Sequence, residues 1–416
     1  MGFTIAIIYY IMEQTDFQGE KGAKTVNAVG IIAEYDPFHQ GHAYQIRKVR
    51  ELGAQAVAVC MSGELVQRGT AALLPPWVRA RAALEHGADL VLELPNPCAC
   101  LSAEGFAQAG VALLSALPML DTLAFGAEQA DTASIKTVAQ VLTGTEFSKA
   151  LAKSLATGCS FAWARAAAAE SVLPGSTELL AMPNNNLGIE YCRAIESQKS
   201  HLQPVALQRE GADHGQITAG ENGFASAGFL RNRWQQGGAR ALEGYVPKAA
   251  LALYEKEAAQ AMEARLWDVA LLSRLRGLTP EEISATRGTG EGLENLLASR
   301  VQNAGSLQEL YDGMKSKRYA HARLRRYVLD AALGYTNEIP RLPPYLHMLA
   351  ANERGLALLK GARLPADASL AKLARENSAC AAMARAHAAG ADLAALCRKK
   401  PQPMGQSYTR PPYILA

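Results

Sequence analysis

His39 and His42 bracket Gln40 and Gly41, and that spacing can do chemistry on phosphate. Gly41 lets the backbone come close to a ligand. Amide groups at the start of a helix attract anions, and two imidazoles can donate to phosphoryl oxygens as charge builds up at phosphorus. Alone, the HxGH pattern is equally a strand-to-helix turn with His42 as a helix-entry residue. Here it lies between a short apolar run, VNAVGIIA (26–33), and a stretch with helical spacing, AYQIRKVREL (43–52), which favours a phosphate site. No GxxxxGK[ST] occurs in the chain, which argues against P-loop chemistry. A second candidate is FASAGFLR (224–231). A Ser226 hydroxyl at a helix start, with Arg231 about one turn on, suits the β- and γ-phosphates of a nucleotide. Taken alone it reads equally as a plain serine cap and a solvated arginine.

A third constellation is basic. Lys315, Lys317, Arg318, Arg323, Arg325 and Arg326 are six cations within twelve positions, with Tyr319 and His321 among them and no acid. A solvated helix face normally intersperses acids, whereas basic and aromatic residues together suit an RNA backbone with a base stacked nearby. Arg79 and Arg81 are candidates for the same surface. Glu34 and Glu93 each follow an apolar run and could contact ribose, magnesium or a backbone turn. His86, His201, His347 and His387 have no ligand-like spacing and read as structural, and Cys98 and Cys100 as packing residues.

The elements that must position these groups alternate. After 26–33, apolar runs recur at 55–61, 89–95, 121–127 and 204–209, separated by helical stretches ending near 52, 86 and 116. Strands alternating with helices imply right-handed crossovers and a parallel sheet, with ligands at the carboxyl ends of the strands. The fold class is therefore α/β, with a Rossmann-like parallel sheet over 26–247. From Lys248 onward Ala-, Leu- and Arg-rich stretches predict a mostly α-helical second domain, 248–416, with no further strand and an irregular tail over 401–416. Residues 1–25 contain a short apolar run (3–12) with no preceding Lys or Arg and acids directly after it. They are expected to be a disordered extension or a misplaced start, with Met12 as an alternative initiator, and neither a signal peptide nor a membrane span.

The composition excludes several classes. Of 416 residues, 49% are hydrophobic and 19% charged, which is globular rather than disordered or membrane-spanning. A net charge of +3 provides no global basic field, so a nucleic-acid surface must be local. Seven scattered cysteines without a CxxC pair argue against a zinc site or a disulfide framework. No metal ligands stand out, and a reducing cytoplasm is expected.

The histidine loop and the Ser226–Arg231 segment together resemble the HIGH-motif nucleotidyltransferase superfamily. CMSGELVQRG (60–69), RAALEHGADLVLELP (81–95), LAFGAE (123–128), MPNNNLGIEY (182–191), EGLENLL (291–297) and MKSKRYAHARLRR (314–326) narrow this to the bacterial tRNA(Met) cytidine acetate ligase family. The resemblance covers about residues 26–360. It implies that residues 32–45 line an ATP site: Ile32, Ala33, Glu34, Tyr35, Asp36, Pro37, Phe38, His39, Gln40, Gly41, His42, Ala43, Tyr44 and Gln45, with the histidines at the phosphates. It likewise implies Gly126, Asn184 and Arg209 as nucleotide contacts. The chain departs from the family pattern at Asp36 and Gln40, where Asn is usual, at Asn186 in place of Ile, and at Gly228 in place of Thr.

The implied activity is ATP-dependent acetylation of the wobble cytidine of elongator tRNA(Met), with magnesium accompanying ATP and no obligatory protein partner. Acetate is a poor acyl donor, so its carboxylate attacks the α-phosphorus, pyrophosphate leaves and acetyl-adenylate forms. Acetate is already anionic, so this half-reaction needs positioning and charge stabilisation rather than a base. The cytosine amine then displaces AMP. Two rival readings remain at this stage. One is a small-molecule adenylyltransferase of coenzyme biosynthesis, whose members are usually shorter. The other is a catalytically inactive RNA-binding relative, which the intact His39, His42, Ser226 and Arg231 argue against.

Overall fold

The computed structural model describes residues 28–210, 224–316 and 319–416; the extension over 1–25, with Lys317 and Arg318, lies outside the described residues. The apolar runs become strands β1 (Ala28–Ala33), β2 (Ala56–Ser62), β5 (Leu90–Leu94), β6 (Leu120–Ala127) and β7 (Gln203–Gln208). A small antiparallel hairpin, β3 (Leu65–Val66) and β4 (Thr70–Ala71), follows β2. Helices α1 (Gln40–Glu51), α2 (Pro76–Glu85), α3 (Ala103–Ser115), α4 (Pro183–Ser197) and α5 (Ala227–Gly237) pack against the sheet. Their placement explains the nearly continuous apolar character of β1, β2 and β5, which are covered on both faces.

Strand β1 pairs in parallel with β2 on one side and β6 on the other, and the parallel order runs β5-β2-β1-β6-β7. The chain therefore changes winding direction between β1 and β6, where a doubly wound sheet opens a crevice at its carboxyl end. One face of the sheet is covered by Phe106, Leu113 and Leu114 of α3 and Ile189 and Tyr191 of α4. The other is covered by Ile46 and Val49 of α1, Val78 and Ala82 of α2, and Leu230 and Trp234 of α5.

The expectation of no strand beyond Lys248 does not hold. Strand β8 (Leu346–Ala351) joins the sheet antiparallel to β5, with Leu90 opposite Ala351 and Glu93 opposite His347. Two short strands, β9 (Ala366–Asp367) and β10 (Tyr413–Ile414), pair in parallel with β8, completing eight strands. A six-residue run with five apolar members, LHMLAA, cannot be told from a buried helical turn by periodicity alone. The tail is likewise not irregular throughout: a short helix, Gln406–Thr409, precedes β10. Pro411 and Pro412 precede β10 and take no part in its ladder.

Between β7 and β8 the helices build their own core, which includes Trp267, Leu271, Leu297, Leu310 and Tyr327. Helix α6 (His321–Leu333) crosses this body, and the long helix α7 (Ser378–Leu396) contributes residues to both cores, Met383 to one and Leu393 to the other. All seven cysteines are free thiols, six of them buried. Among the described residues no helix is long and apolar enough to cross a membrane.

Candidate active site

The paired histidines sit where β1 hands over to α1, and they cap that helix together. His39 is the N-cap; its Nδ1 accepts from the Gly41 N–H at 3.0 Å, while His42 Nδ1 accepts from the His39 N–H at 3.2 Å. The two rings stack with centroids 3.7 Å apart. A Cβ on residue 41 would meet His39 Cε1 at 2.9 Å. Glycine is therefore needed here to let the His39 ring fold back, not only to admit a ligand. Because both Nδ1 atoms accept, each neutral ring carries its proton on Nε2, leaving that N–H as its donor. Burial, together with the Arg209 and Arg231 guanidiniums, pushes His39 down to about 3. Burial, His39 and Arg209 push His42 well below its usual value. Both are neutral donors near pH 7.

A cleft opens at the switch point. Of the residues singled out in the sequence, His39, Gly41, His42, Tyr44, Gln45, Gly126 and Arg209 line it. Leu207, Gln208, Glu210, Phe224 and Ala225 line it too and were not singled out. The Tyr44 hydroxyl donates to Glu210 at 2.6 Å, and the Phe224 ring stands edge-on to Tyr44. Glu210 and Phe224 lie beside the motifs already noticed, LQREG and FASAGFLR. That adjacency was the available signal.

Other loop residues shape the cleft from behind. Ile32, Tyr35, Asp36, Pro37 and Phe38 are buried, and Ala33, Gln40 and Ala43 are partly so. The Gln40 N–H donates to the Tyr245 carbonyl, and the Phe38 carbonyl accepts from the Tyr254 hydroxyl at 2.9 Å. The Asp36 carboxylate accepts from the Leu73 N–H at 2.6 Å and from Arg68 at 2.5 Å. Asn184 does not line the cleft; its side-chain amide donates to Glu128 at 2.5 Å, two residues beyond Gly126. Ser226 is the N-cap of α5 and accepts from the Phe229 N–H, and Arg231 donates to the Asp36 carbonyl at 2.7 Å. Beside them, the open position at Gly228 has space for a Cβ, with nothing nearer than 3.8 Å.

Several surface expectations are corrected. Arg79 is fully buried and donates to the carbonyls of Leu74, Glu34 and Gly63, so it braces the site and faces no RNA. Arg81 pairs with Glu85 at 2.7 Å and lies over the Tyr413 ring. Glu34 accepts from the Gln67 N–H, whereas Glu93 is buried against His347 at 2.6 Å and His387 at 3.4 Å. Within the basic segment Lys315 is exposed, and Arg323 pairs with Glu291 at 3.3 Å while stacking over Tyr319. Arg325 lies over Tyr311. Arg326 is partly buried, and burial lowers its affinity for its proton even with Asp330 nearby. The acid missing from the local sequence is supplied to Arg323 by Glu291 of another segment, and to Arg326 by Asp330 further along α6.

A doubly wound sheet with a paired-histidine loop at its switch point defines a nucleotidyltransferase, and residues 26–407 match the HIGH Nucleotidyl Transferase family. Over 346 residues the chain is 33% identical to the tRNA(Met) cytidine acetate ligase of Caldanaerobacter subterraneus subsp. tengcongensis, covering 80% of this chain and 86% of that one. It is also 33% identical to the Clostridium novyi tRNA(Met) cytidine acetate ligase over 80% of this chain and 87% of the relative. The chain belongs to the tRNA(Met) cytidine acetate ligase family. The apo crystal structure of Thermotoga maritima TmcAL superimposes with a TM-score of 0.87 at 25% identity, covering 94% of this chain and 99% of that one. A second crystal form of TmcAL, bound with alpha-thio ATP, shares the fold at a TM-score of 0.85 and 24% identity.

Proposed function

We propose that this protein activates acetate with ATP and transfers the acetyl group to the N4 amine of the wobble cytidine of elongator tRNA(Met). The observation that carries the reading is the pair of neutral imidazoles, both with Nδ1 occupied by backbone amides, at the mouth of a cleft lined by Arg209. Neutral Nε2–H donors fixed before substrate arrives stabilise charge building on the α-phosphoryl oxygens without reorganising. The structural relative with alpha-thio ATP and the names of the curated relatives support ATP and tRNA(Met) as substrates.

On this reading the adenine side lies toward Gly126 and Arg209, and the phosphates toward His39, His42, Ser226 and Arg231. Magnesium would arrive on the phosphates of ATP. Among the described residues no group of three His, Cys, Asp or Glu side chains offers it a separate protein site. The tRNA surface is assigned to the helical body within 248–416, with Lys315, Arg323 and Arg325 as contacts. Arg326 is a weaker candidate because burial already disfavours its charge. The reaction belongs to the cytoplasm, where tRNA is modified.

Incubating the protein with ATP, radiolabelled acetate and bulk bacterial tRNA, then digesting the tRNA, tests the reading. Label is expected in N4-acetylcytidine, with one AMP and one pyrophosphate released per acetyl group. Label in no nucleoside, with pyrophosphate release unaffected by acetate, would overturn it.

A further inference from the structure

The carboxyl end of β1 carries a charge cluster that the paired histidines do not account for. Asp36 is buried, and two guanidiniums converge on its Oδ2, Arg68 Nη2 at 2.5 Å and Arg231 Nη1 at 3.5 Å. Burial alone would raise the Asp36 carboxyl; Arg68, Arg231 and Arg79 outweigh it and hold the group ionised. Glu34 is the second acid, 3.8 Å from Arg68 Nη1. The guanidinium of Arg79 is occupied by three backbone carbonyls. Arg68, Arg231 and Arg79 thus all act on Asp36, and Arg231 acts on His39 as well.

Arg68 differs from its neighbours in where it comes from. It lies in the turn between β3 and β4, whereas the loop after β1 and helix α5 hold the groups assigned to phosphate. Its side chain is 27% exposed, against none for Arg79. Nη2 is pinned to Asp36, which fixes the guanidinium plane, while Nη1 stands beyond hydrogen-bond length from Glu34. The turn itself is seated. Gly69 has φ +80°, and a Cβ there would meet the Arg326 backbone N of α6 at 2.8 Å. A planar fork with one arm fixed on Asp36 and the other only in a long ion pair with Glu34 suits a small carboxylate better than an ammonium would.

We propose that Arg68 is the substrate-carboxylate receptor of this site. This rests on the reading of the cleft as an acetate-activating site. The Arg68 guanidinium orients acetate so that a carboxylate lone pair forms the new O–P bond at the α-phosphorus. The bond from that phosphorus to the bridging oxygen breaks, and pyrophosphate leaves with the electron pair. Acetate enters deprotonated, so no proton moves. Arg231 stays with the phosphates.

The test compares wild type with Arg68→Lys and Arg68→Ala in acetate-dependent ATP–pyrophosphate exchange, with ATP affinity measured by calorimetry without acetate. Arg68→Lys keeps a cation for Asp36 and so protects the fold while removing the fork. Its acetate KM is expected to rise about tenfold or more with ATP affinity within about twofold, the signature of a lost ground-state contact to one substrate. Arg68→Ala is expected to show a larger rise, partly reversed by added methylguanidine. An unchanged acetate KM in Arg68→Lys overturns the proposal, as does a parallel loss of ATP affinity, which would make Arg68 a phosphate or structural residue. A wild-type protein that binds ATP but shows no acetate-dependent exchange overturns the acetate reading itself, a result separable from failure of the Arg68 variants.

Discussion

Each imidazole of the histidine pair uses Nδ1 to cap the helix that presents it, so His39 and His42 are held as donors by the same bonds that start α1. Removing either ring should cost about 10²–10³ in rate, the usual loss for one preorganised donor. His39→Asn, whose Oδ1 can still accept from the Gly41 N–H, should remain folded and yet lose acetate-dependent pyrophosphate release. The pair also sets an acid limit. In the unfolded chain both rings titrate near 6.5, whereas folded His39 lies at about 3. Between those values the unfolded chain binds more protons, so stability falls as pH falls through that window and is flat above it. The slope is about 1.4 kcal/mol per pH unit for each histidine. Urea unfolding at pH 7, 6 and 5 should show this loss, and His39→Asn should make it shallower by one proton.

At the scale of elements, the β3–β4 hairpin joins the two halves of the molecule. One side of its turn carries Arg68 to Asp36, and the other, through Gly69, lies against the main chain of α6 at Arg325 and Arg326. A side chain at 69 would have to adopt a left-handed backbone and displace the α6 main chain, not a flexible side-chain end. Gly69→Ala is therefore expected to destabilise the protein by about 1–3 kcal/mol, read from chemical denaturation. Its neighbour Arg68 should lose its fixed geometry as well, so acetate KM should rise more than ATP affinity falls.

Across the whole molecule, the sheet cannot be completed by the first half of the chain. A fragment of residues 26–247 lacks β8, leaving the edge of β5 open and stripping Leu346, Met348 and Ala351 from the core. Such a fragment should aggregate, and size-exclusion chromatography should find no folded monomer. The buried clamp between Glu64 and Arg398, with Arg398 Nη2 2.6 Å from both carboxylate oxygens, ties the loop after β2 to the chain beyond α7. Arg398→Met leaves Glu64 buried without its partner and should cost about 3–5 kcal/mol, seen as a lower denaturant midpoint. On the tRNA face, reversing the charge of exposed Lys315 and of Arg323 together should weaken tRNA binding and flatten its salt dependence while sparing adenylate formation.

The local sequence by itself determined the five parallel strands, the helices after the first three of them and the loop that carries His39 and His42. A strand covered on both faces must be apolar throughout, and a helix start near phosphate needs few residue types. It also marked the histidine side of the cleft, whereas Gly126 and Arg209 follow from the family resemblance and Glu210 and Phe224 only lie beside the quoted motifs. Only the tertiary structure decided what lies far apart in sequence. The run at 346–351 became a strand because β5 had an open edge to pair with, a fact absent from its own six residues. Arg79 was drawn inside by three carbonyls from separate loops, and Arg326 into the side of the helical body. Asn184 was turned to Glu128. Charge and spacing can nominate such residues, but burial and partners depend on which elements meet.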